Sequence, residues 1–329
     1  MATIFIEKAG IELEVERGCV VLRRDGQLLQ RVPCLLIDRV VVIADVALRG
    51  SVVRGLATEG IGLYWPGTRR GHGAMTWPAD RQMGERRLAQ ARVYWNASQR
   101  QRLAGLVVRG KLLGQLQVLR WLAEQRPEKR FELGKARQHL SGSIGRLRTE
   151  AMPVPSLLGV EGAASAAYFE GMRTTLAGAL QFAGRNRRPP RDPVNAALSL
   201  GYTLLYAAAL EAILAAGLEP SYGFLHEPAP GRSALACDLM EPFRPAIDQS
   251  VLSLFHSRVL RQEGFSMNQG ACLMGKAARR TFYSEMENRM ELVRRRLRKV
   301  ASTFGRSLMR AANAAETVEA QGPDEGDFE

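Results

Sequence analysis

The chain has 329 residues, 46% hydrophobic, 24% charged and only 7% aromatic, which is enough apolar material for a real core in one large domain or two ordinary ones. Lysine and arginine number 46 against 33 acids, a formal net charge of +13, which points to a polyanionic partner, nucleic acid first. Cys19, Cys34, Cys237 and Cys272 show no CxxC or CxxH spacing, which argues against a zinc cluster. The opening MATIFIEKAG has no leader pattern and no run of about 18 apolar residues predicts a membrane-spanning helix, so the expected setting is a reducing cytoplasm without a membrane.

Short runs of Val, Ile and Leu between turn signals predict strands at residues 3–7, 11–15, 20–24, 28–33 and 39–43. Asp25-Gly26 between two such runs is a hairpin signal. A helix is expected over 48–58, then a strand over 61–65. Residues 66–78 hold Gly67, Gly71 and Gly73 and read as a loop at a domain junction. After Asp80 the apolar period becomes helical, over 81–96 and 99–125. Val107, Leu112, Leu116, Leu119 and Leu122 form one stripe, with basic residues opposite. A further helix over 133–150 is expected to break near Gly142 and Gly145, and another, rich in small residues, to span 158–183. Asp192 as N-cap and Pro193 in the first turn open a helix that runs to about Ala216 and stops at Gly217. After a loop at 221–232 the chain reads as helical to about 312. Glu316, Glu319, Asp324, Glu325, Asp327 and Glu329 then make an acidic stretch with no base, expected to be disordered. The fold class is α+β: an N-terminal β-sandwich domain (1–78), a larger all-α catalytic domain (79–312) and a tail (313–329).

Few residues stand out for chemistry. Of the four histidines, His72 lies in the Gly-rich junction, and His139 and His256 read as ordinary helix residues. His226 sits in the loop GFLHEP, a rigid apolar approach to one polar side chain, which either packs or presents a site. Asp238 and Glu241 stand three apart in SALACDLMEPF, on one helical face; they are either a water-facing stripe or a pair of ligands. Pro242 cannot donate to the Asp238 carbonyl, so a kink or a new helical turn is expected there. Glu161 lies among Ala and Gly, either as an acid favoured by the helix dipole or as a buried charge that needs a partner. A histidine with two or three carboxylates suits a hard cation such as Mg²⁺ or Mn²⁺, and such an ion serves phosphoryl chemistry.

Four segments, LLGVEGAASAAYF (157–169), RNRRPPRDPVNAALSLGYTLLY (185–206), GFLHEPAPGR (223–232) and ACDLMEPFRP (236–245), in this order and spacing resemble the CRISPR adaptation integrase family. The resemblance covers nearly the whole chain and is weaker before residue 150. It implies a metal site of Glu161, His226 and the acidic pair Asp238 and Glu241, with Glu241 the direct ligand of the pair. It makes Arg185, Arg187, Arg188 and Arg244 phosphate contacts, although Arg244 also reads as a structural salt bridge, and it gives Tyr168 and Asn195 packing or orienting roles. It further implies a homodimer, a small second adaptation protein bridging two dimers, and double-stranded DNA as captured fragment and CRISPR repeat. The 3′-hydroxyl of the fragment would attack a repeat phosphodiester by metal-assisted transesterification, and water in its place would nick DNA. The acidic tail departs from the family pattern. A nuclease of branched repair intermediates and a non-catalytic nucleic-acid-binding protein are the other readings.

Overall fold

The computed structural model describes residues 2–65, 73–76, 83–186 and 189–320. The chain divides into two compact units, Met1–Met83 and Gly84–Glu329.

The first unit is β-rich. Its strands are β1 (Ala2–Ile6), β2 (Ile11–Glu16), β3 (Cys19–Arg24), β4 (Gln27–Pro33) and β5 (Ile37–Val42), then helix α1 (Gly50–Thr58), β6 (Gly62–Trp65) and β7 (Ala74–Thr76). β2, β3 and β4 form an antiparallel meander. Its second turn is Asp25-Gly26, both at positive φ, the primed two-residue turn whose twist suits a hairpin. The other sheet has the order β1-β5-β6-β7. It is mixed: β1 and β6 pair parallel to β5, and β7 antiparallel to β6. Parallel neighbours need a crossover, and α1 supplies it between β5 and β6. Ile4, Ile6, Val40, Val42 and Leu63 from this sheet and Leu13, Val20 and Leu22 from the meander bury one shared core, completed by Val52 and Leu56 of α1. The two-sheet expectation holds. Strand β7 lies within the segment read as loop.

The second unit is mainly helical: α2 (Met83–Trp95), α3 (Ala97–Gln125), α4 (Arg130–Thr149), α5 (Val154–Arg173), α6 (Pro193–Ala215), α7 (Ala234–Met240), α8 (Arg244–His256) and α9 (Lys276–Ala320). Asn96 caps α3 by accepting from Gln99 N at 3.0 Å. Asp192 caps α6 through Asn195 N at 2.8 Å, as its sequence predicts. α6 corrects one expectation: with mean hydropathy 1.6 it is long and apolar enough to cross a bilayer. That window is 61% buried within the unit, as in a core helix apolar on all sides.

Four further expectations are corrected. α4 runs unbroken through Gly142 and Gly145. α5 starts at Val154 and stops at Arg173, ten residues before the expected end. There the Thr174 and Thr175 hydroxyls bond to the Gly171 and Met172 carbonyls at 2.8 Å, taking acceptors that further helix would use. The unit is not wholly α-helical: β8 (Phe265–Asn268) and β9 (Ala271–Met274) form a hairpin across Gln269-Gly270, both at positive φ. Finally, α9 continues to Ala320, through the first part of the segment read as a disordered tail.

Candidate active site

Two glycines on α3 bring the ionic residues of the helical unit into range. A Cβ at Gly110 would lie 3.2 Å from the Pro242 ring, and one at Gly114 2.9 Å from Pro245 Cγ. Glycine therefore permits close approach of the 3-10 turn Glu241–Phe243 and the start of α8, which seats Glu241 beside Lys111 of α3. Pro242 is the second residue of that turn, as expected of a residue that cannot extend α7.

Lys111 is 6% exposed and reaches between two carboxylates. Its ammonium bonds to Glu161 Oε1 of α5 and lies 2.7 Å from Glu241 Oε2. Ser165, one turn beyond Glu161, donates to the same Oε1 at 2.9 Å and receives Gln115 Nε2 at 3.2 Å. Glu241 Oε1 accepts Arg244 Nε at 2.8 Å, so Arg244 forms a structural ion pair. The Arg244 guanidinium also sits 4.5 Å above the Tyr202 ring of α6. Tyr202 donates to buried Asp248 of α8, whose other oxygen takes the Tyr168 hydroxyl at 3.0 Å. Tyr168 stands two turns after Glu161 on α5, so the polar chain closes on itself across four helices.

Charge balance follows from these contacts. Burial alone would push the Glu241 carboxyl up; the Lys111 ammonium and Arg244 guanidinium outweigh it and hold the group below its usual range. Glu241 therefore contributes stability above the ordinary glutamate pKa, and loses it as pH falls through the depressed value. Asp248 behaves oppositely. Burial drives its carboxyl up, the hydrogen bonds from Tyr202 and Tyr168 pull it partly back, and it settles at about 6. Folded Asp248 then holds a proton that an unfolded aspartate, with a pKa of about 3.9, has released, so its contribution declines as pH rises from about 4 through about 6. Asp248→Asn is expected to flatten stability against pH across that window. Denaturant titrations at stepped pH check this, and a profile parallel to wild type would contradict it.

The second cluster is the loop holding His226. Asp238, 1% exposed, accepts Phe224 N and Leu225 N on Oδ2, the latter at 2.9 Å, and His226 N and Nδ1 on Oδ1 at 3.0 and 2.7 Å. Both oxygens are thus committed to the loop, and Asp238 acts as a clamp that turns the imidazole. Facing a carboxylate, Nδ1 is the protonated nitrogen, which leaves Nε2 as the acceptor. At Gly223 a Cβ would lie 2.7 Å from the His226 carbonyl oxygen and 2.8 Å from Ala234 backbone. Gly223→Ala must therefore shift main chain, and the expected loss is about 1–3 kcal/mol or more. A denaturation midpoint equal to wild type would contradict it.

His226 also lines a cleft of about 620 Å³ with Tyr94, Trp95, Arg100, Leu158 and Arg232. It lies close enough to Glu241 to act on its charge.

The structure thus joins Glu161 and Glu241 through Lys111, and Asp238 to His226. Among the described residues it does not bring three His, Cys, Asp or Glu side chains into one ready-made metal shell. The donors nonetheless suit a hard divalent ion. Two carboxylates already face one cation, and Glu241 Oε2, though within ion-pair distance of Lys111, is buried with no hydrogen bond directed at it. Of the expected phosphate contacts, Arg185 is engaged with Asn195 Oδ1 at 2.7 Å and Ser199 Oγ at 3.2 Å. Asn195 in turn holds the Gly184 carbonyl and Asp192, an orienting role. Arg187, Arg188 and His72 lie outside the described residues. His139 is exposed. His256 faces the Thr175 carbonyl at 3.2 Å and stacks on Trp121.

Lys111, Tyr202 and Asp248 were not singled out from the sequence. Lys111 and Gln115 fall inside the buried stripe Ala104, Val108, Leu112, Leu116, Leu119, not opposite it. A lysine and a glutamine four apart on an apolar face were the available signal. Asp248 lies seven residues after Glu241, between Ile247 and Val251, and carries the same kind of signal.

The chain is thus a two-part protein, a β-rich unit followed by a helical unit that holds a buried network of carboxylates and cations and a clamped histidine. The model of the family described as CRISPR associated protein Cas1 matches residues 4–288, and the chain belongs to that family. A relative named CRISPR-associated endonuclease Cas1 1, from Thermodesulfovibrio yellowstonii, is 30% identical over 314 residues, 94% of this chain and 98% of its own length. Among solved structures, a casposase bound to integration product superposes with TM-score 0.76 at 22% identity, over 93% of this chain and 91% of its own. A Cas6-RT-Cas1–Cas2 complex chain gives 0.77 at 19% identity, over 94% of this chain and 35% of its own. At these identities the structural likeness speaks for the fold.

Proposed function

We propose that the chain is a divalent-metal-dependent DNA endonuclease and integrase of CRISPR adaptation, joining 3′-hydroxyl ends of double-stranded fragments into the repeat by transesterification. The observation that carries the reading is the pairing of Glu161 and Glu241 around one buried cation, with the Asp238-clamped His226 close by. Mg²⁺ or Mn²⁺ held by Glu161 and Glu241, with His226 as the nitrogen donor, would polarise a phosphoryl oxygen and make the attacking hydroxyl more acidic. The rest belongs to the chain. Asp238 fixes the imidazole so that Nε2 faces outward. Arg244, braced by the Tyr202 ring, keeps Glu241 ionised. Lys111 supplies positive charge close to where a phosphate would lie.

The excess of basic residues supports a DNA partner, with Arg187, Arg188, Arg185 and Arg244 as the phosphate-facing candidates; the last two would need to leave their present partners. The casposase bound to integration product and the Cas6-RT-Cas1–Cas2 complex among the structural neighbours support an integrative reaction and a Cas2-type second adaptation protein as partner; the homodimer, and the bridging of two such dimers by that protein, are part of the proposal. The four cysteines are unpaired, which suits a cytoplasmic setting.

The test is strand transfer of a 3′-hydroxyl duplex into a repeat-bearing plasmid, with the second adaptation protein present, in Mn²⁺, Mg²⁺ or chelator. Joined product in either ion and none in chelator supports the reading. Equal product in chelator, or none in either ion, refutes it.

A further inference from the structure

Glu161 and Glu241 are steadied in different ways. Glu241 is buried and Arg244 pins its Oε1 at 2.8 Å. Glu161 is the more open of the two, with 20% of its side chain exposed, and no arginine holds it. Among the described residues its carboxylate contacts are Lys111 and Ser165, both on Oε1. When an ion takes the place of the Lys111 ammonium, Ser165 is the contact that remains.

The Ser165 hydroxyl does not follow the common helical habit. A serine or threonine inside a helix often donates back to the carbonyl four residues earlier. Thr203, Ser250, Ser257 and Ser307 in this unit all do so. Ser165 donates instead to the Glu161 side chain, at 2.9 Å. Gln115 accounts for the difference. It stands one turn after Lys111 on α3, is 1% exposed, and donates Nε2 to Ser165 Oγ at 3.2 Å. A hydroxyl has a single proton; with its oxygen receiving the amide, that proton goes to the carboxylate. Gln115 Oε1 is buried and has no hydrogen-bond partner, a costly arrangement. The opposite orientation of the amide would pair that oxygen with the Ser165 proton and take the proton from Glu161.

We propose that Ser165, set by Gln115, is a positioning residue that holds Glu161 in its ion-binding orientation, as Arg244 does for Glu241. Glu161 Oε1 has two lone pairs: Ser165 occupies one, and the other is the one Lys111 yields to the ion. A glutamate has three rotatable side-chain bonds, and fixing them beforehand removes that entropic cost from ion binding. The inference rests on the metal-dependent reading above and deepens it.

The test measures Mn²⁺ binding to the full chain without DNA, by the loss of the free-ion signal in electron paramagnetic resonance. Ser165→Ala is expected to weaken binding by roughly 10- to 100-fold, the range for groups that orient a metal ligand. Ser165→Thr, which keeps the hydroxyl, should bind nearly as tightly as wild type. Gln115→Met should fall between, because its Ser165 keeps a proton but is free to turn to the backbone. Denaturation in chelator should leave Ser165→Ala close to wild type, since water can reach the half-buried carboxylate. In strand transfer the Ser165→Ala curve against Mn²⁺ should shift to higher ion by the same factor and reach a similar maximum rate. The proposal is overturned if Ser165→Ala binds Mn²⁺ as tightly as wild type, or if Ser165→Thr binds as weakly as Ser165→Ala. It is overturned equally if the maximum rate falls with Mn²⁺ affinity unchanged. Wild type and Ser165→Ala binding alike would sink this proposal alone; a wild type that binds no Mn²⁺ would sink the metal-dependent reading with it.

Discussion

Replacing Lys111 by methionine is expected to destabilise the protein in chelator by about 3–5 kcal/mol, the range for removing one partner of a buried ion pair. Lys111 is the cation shared by Glu161 and Glu241, and both it and Glu241 are buried. Methionine keeps the stem and its packing but leaves the two carboxylates facing each other, with Arg244 countering only Glu241. The pH dependence should move with it. Without the ammonium that holds it down, the Glu241 carboxyl takes up protons at higher pH, so the variant regains part of its stability on acidification. Manganese should then act in the ammonium's place. At an ion concentration about 100 times its dissociation constant a ligand adds about 2.7 kcal/mol, and the variant should gain more than wild type, where Lys111 competes for the same oxygens. Denaturation with and without Mn²⁺ checks this. A variant as stable as wild type in chelator, or one indifferent to Mn²⁺, would show that the carboxylates are not a cation site.

Asp238→Ala is expected to have the second large effect. The carboxylate satisfies three backbone N–H groups, of Phe224, Leu225 and His226, besides the imidazole. A buried donor left without a partner costs about 1–3 kcal/mol, so the loss should exceed about 3 kcal/mol. Asp238→Asn retains one acceptor oxygen and should fall between. His226→Ala removes only the side-chain bond and should leave most of the stability. That ordering separates a clamp from a ligand. If Asp238→Ala proved as stable as His226→Ala, the clamp would be disproved.

The two sheets of the first unit were legible because short Val- and Ile-rich runs alternate with turn residues such as Asp25-Gly26. The α6 start was legible because Asp192-Pro193 combines a cap with a fixed φ. The β8–β9 hairpin was not, because FSMNQGACLM is short, mixed in polarity and set between helices. The end of α5 turned on two threonine hydroxyls competing for carbonyls, a contest that apolar periodicity does not register.

The candidate site was legible in part. Glu161, His226, Asp238 and Glu241 could be picked out as polar residues in apolar or glycine-rich surroundings. Their division of labour could not. Asp238 and Glu241 are three apart in the sequence, yet one turns inward to clamp a loop and the other meets Lys111, because Pro242 starts a new turn between α7 and α8. Lys111 escaped notice because long basic side chains on helices usually face water; the Gly110 and Gly114 contacts that bury it depend on prolines more than a hundred residues away.

The central claim, that Glu161, Glu241 and His226 form a metal-dependent reaction centre for DNA strand transfer, is tested most directly by assaying binding and joining on the same samples. Wild type, Glu241→Gln and His226→Ala would be mixed with a labelled 3′-hydroxyl duplex, the repeat plasmid and Mn²⁺. The account predicts that all three bind the duplex within a few-fold of one another and that only wild type gives joined or nicked product. Product from either variant at the wild-type rate would place the chemistry elsewhere in the molecule.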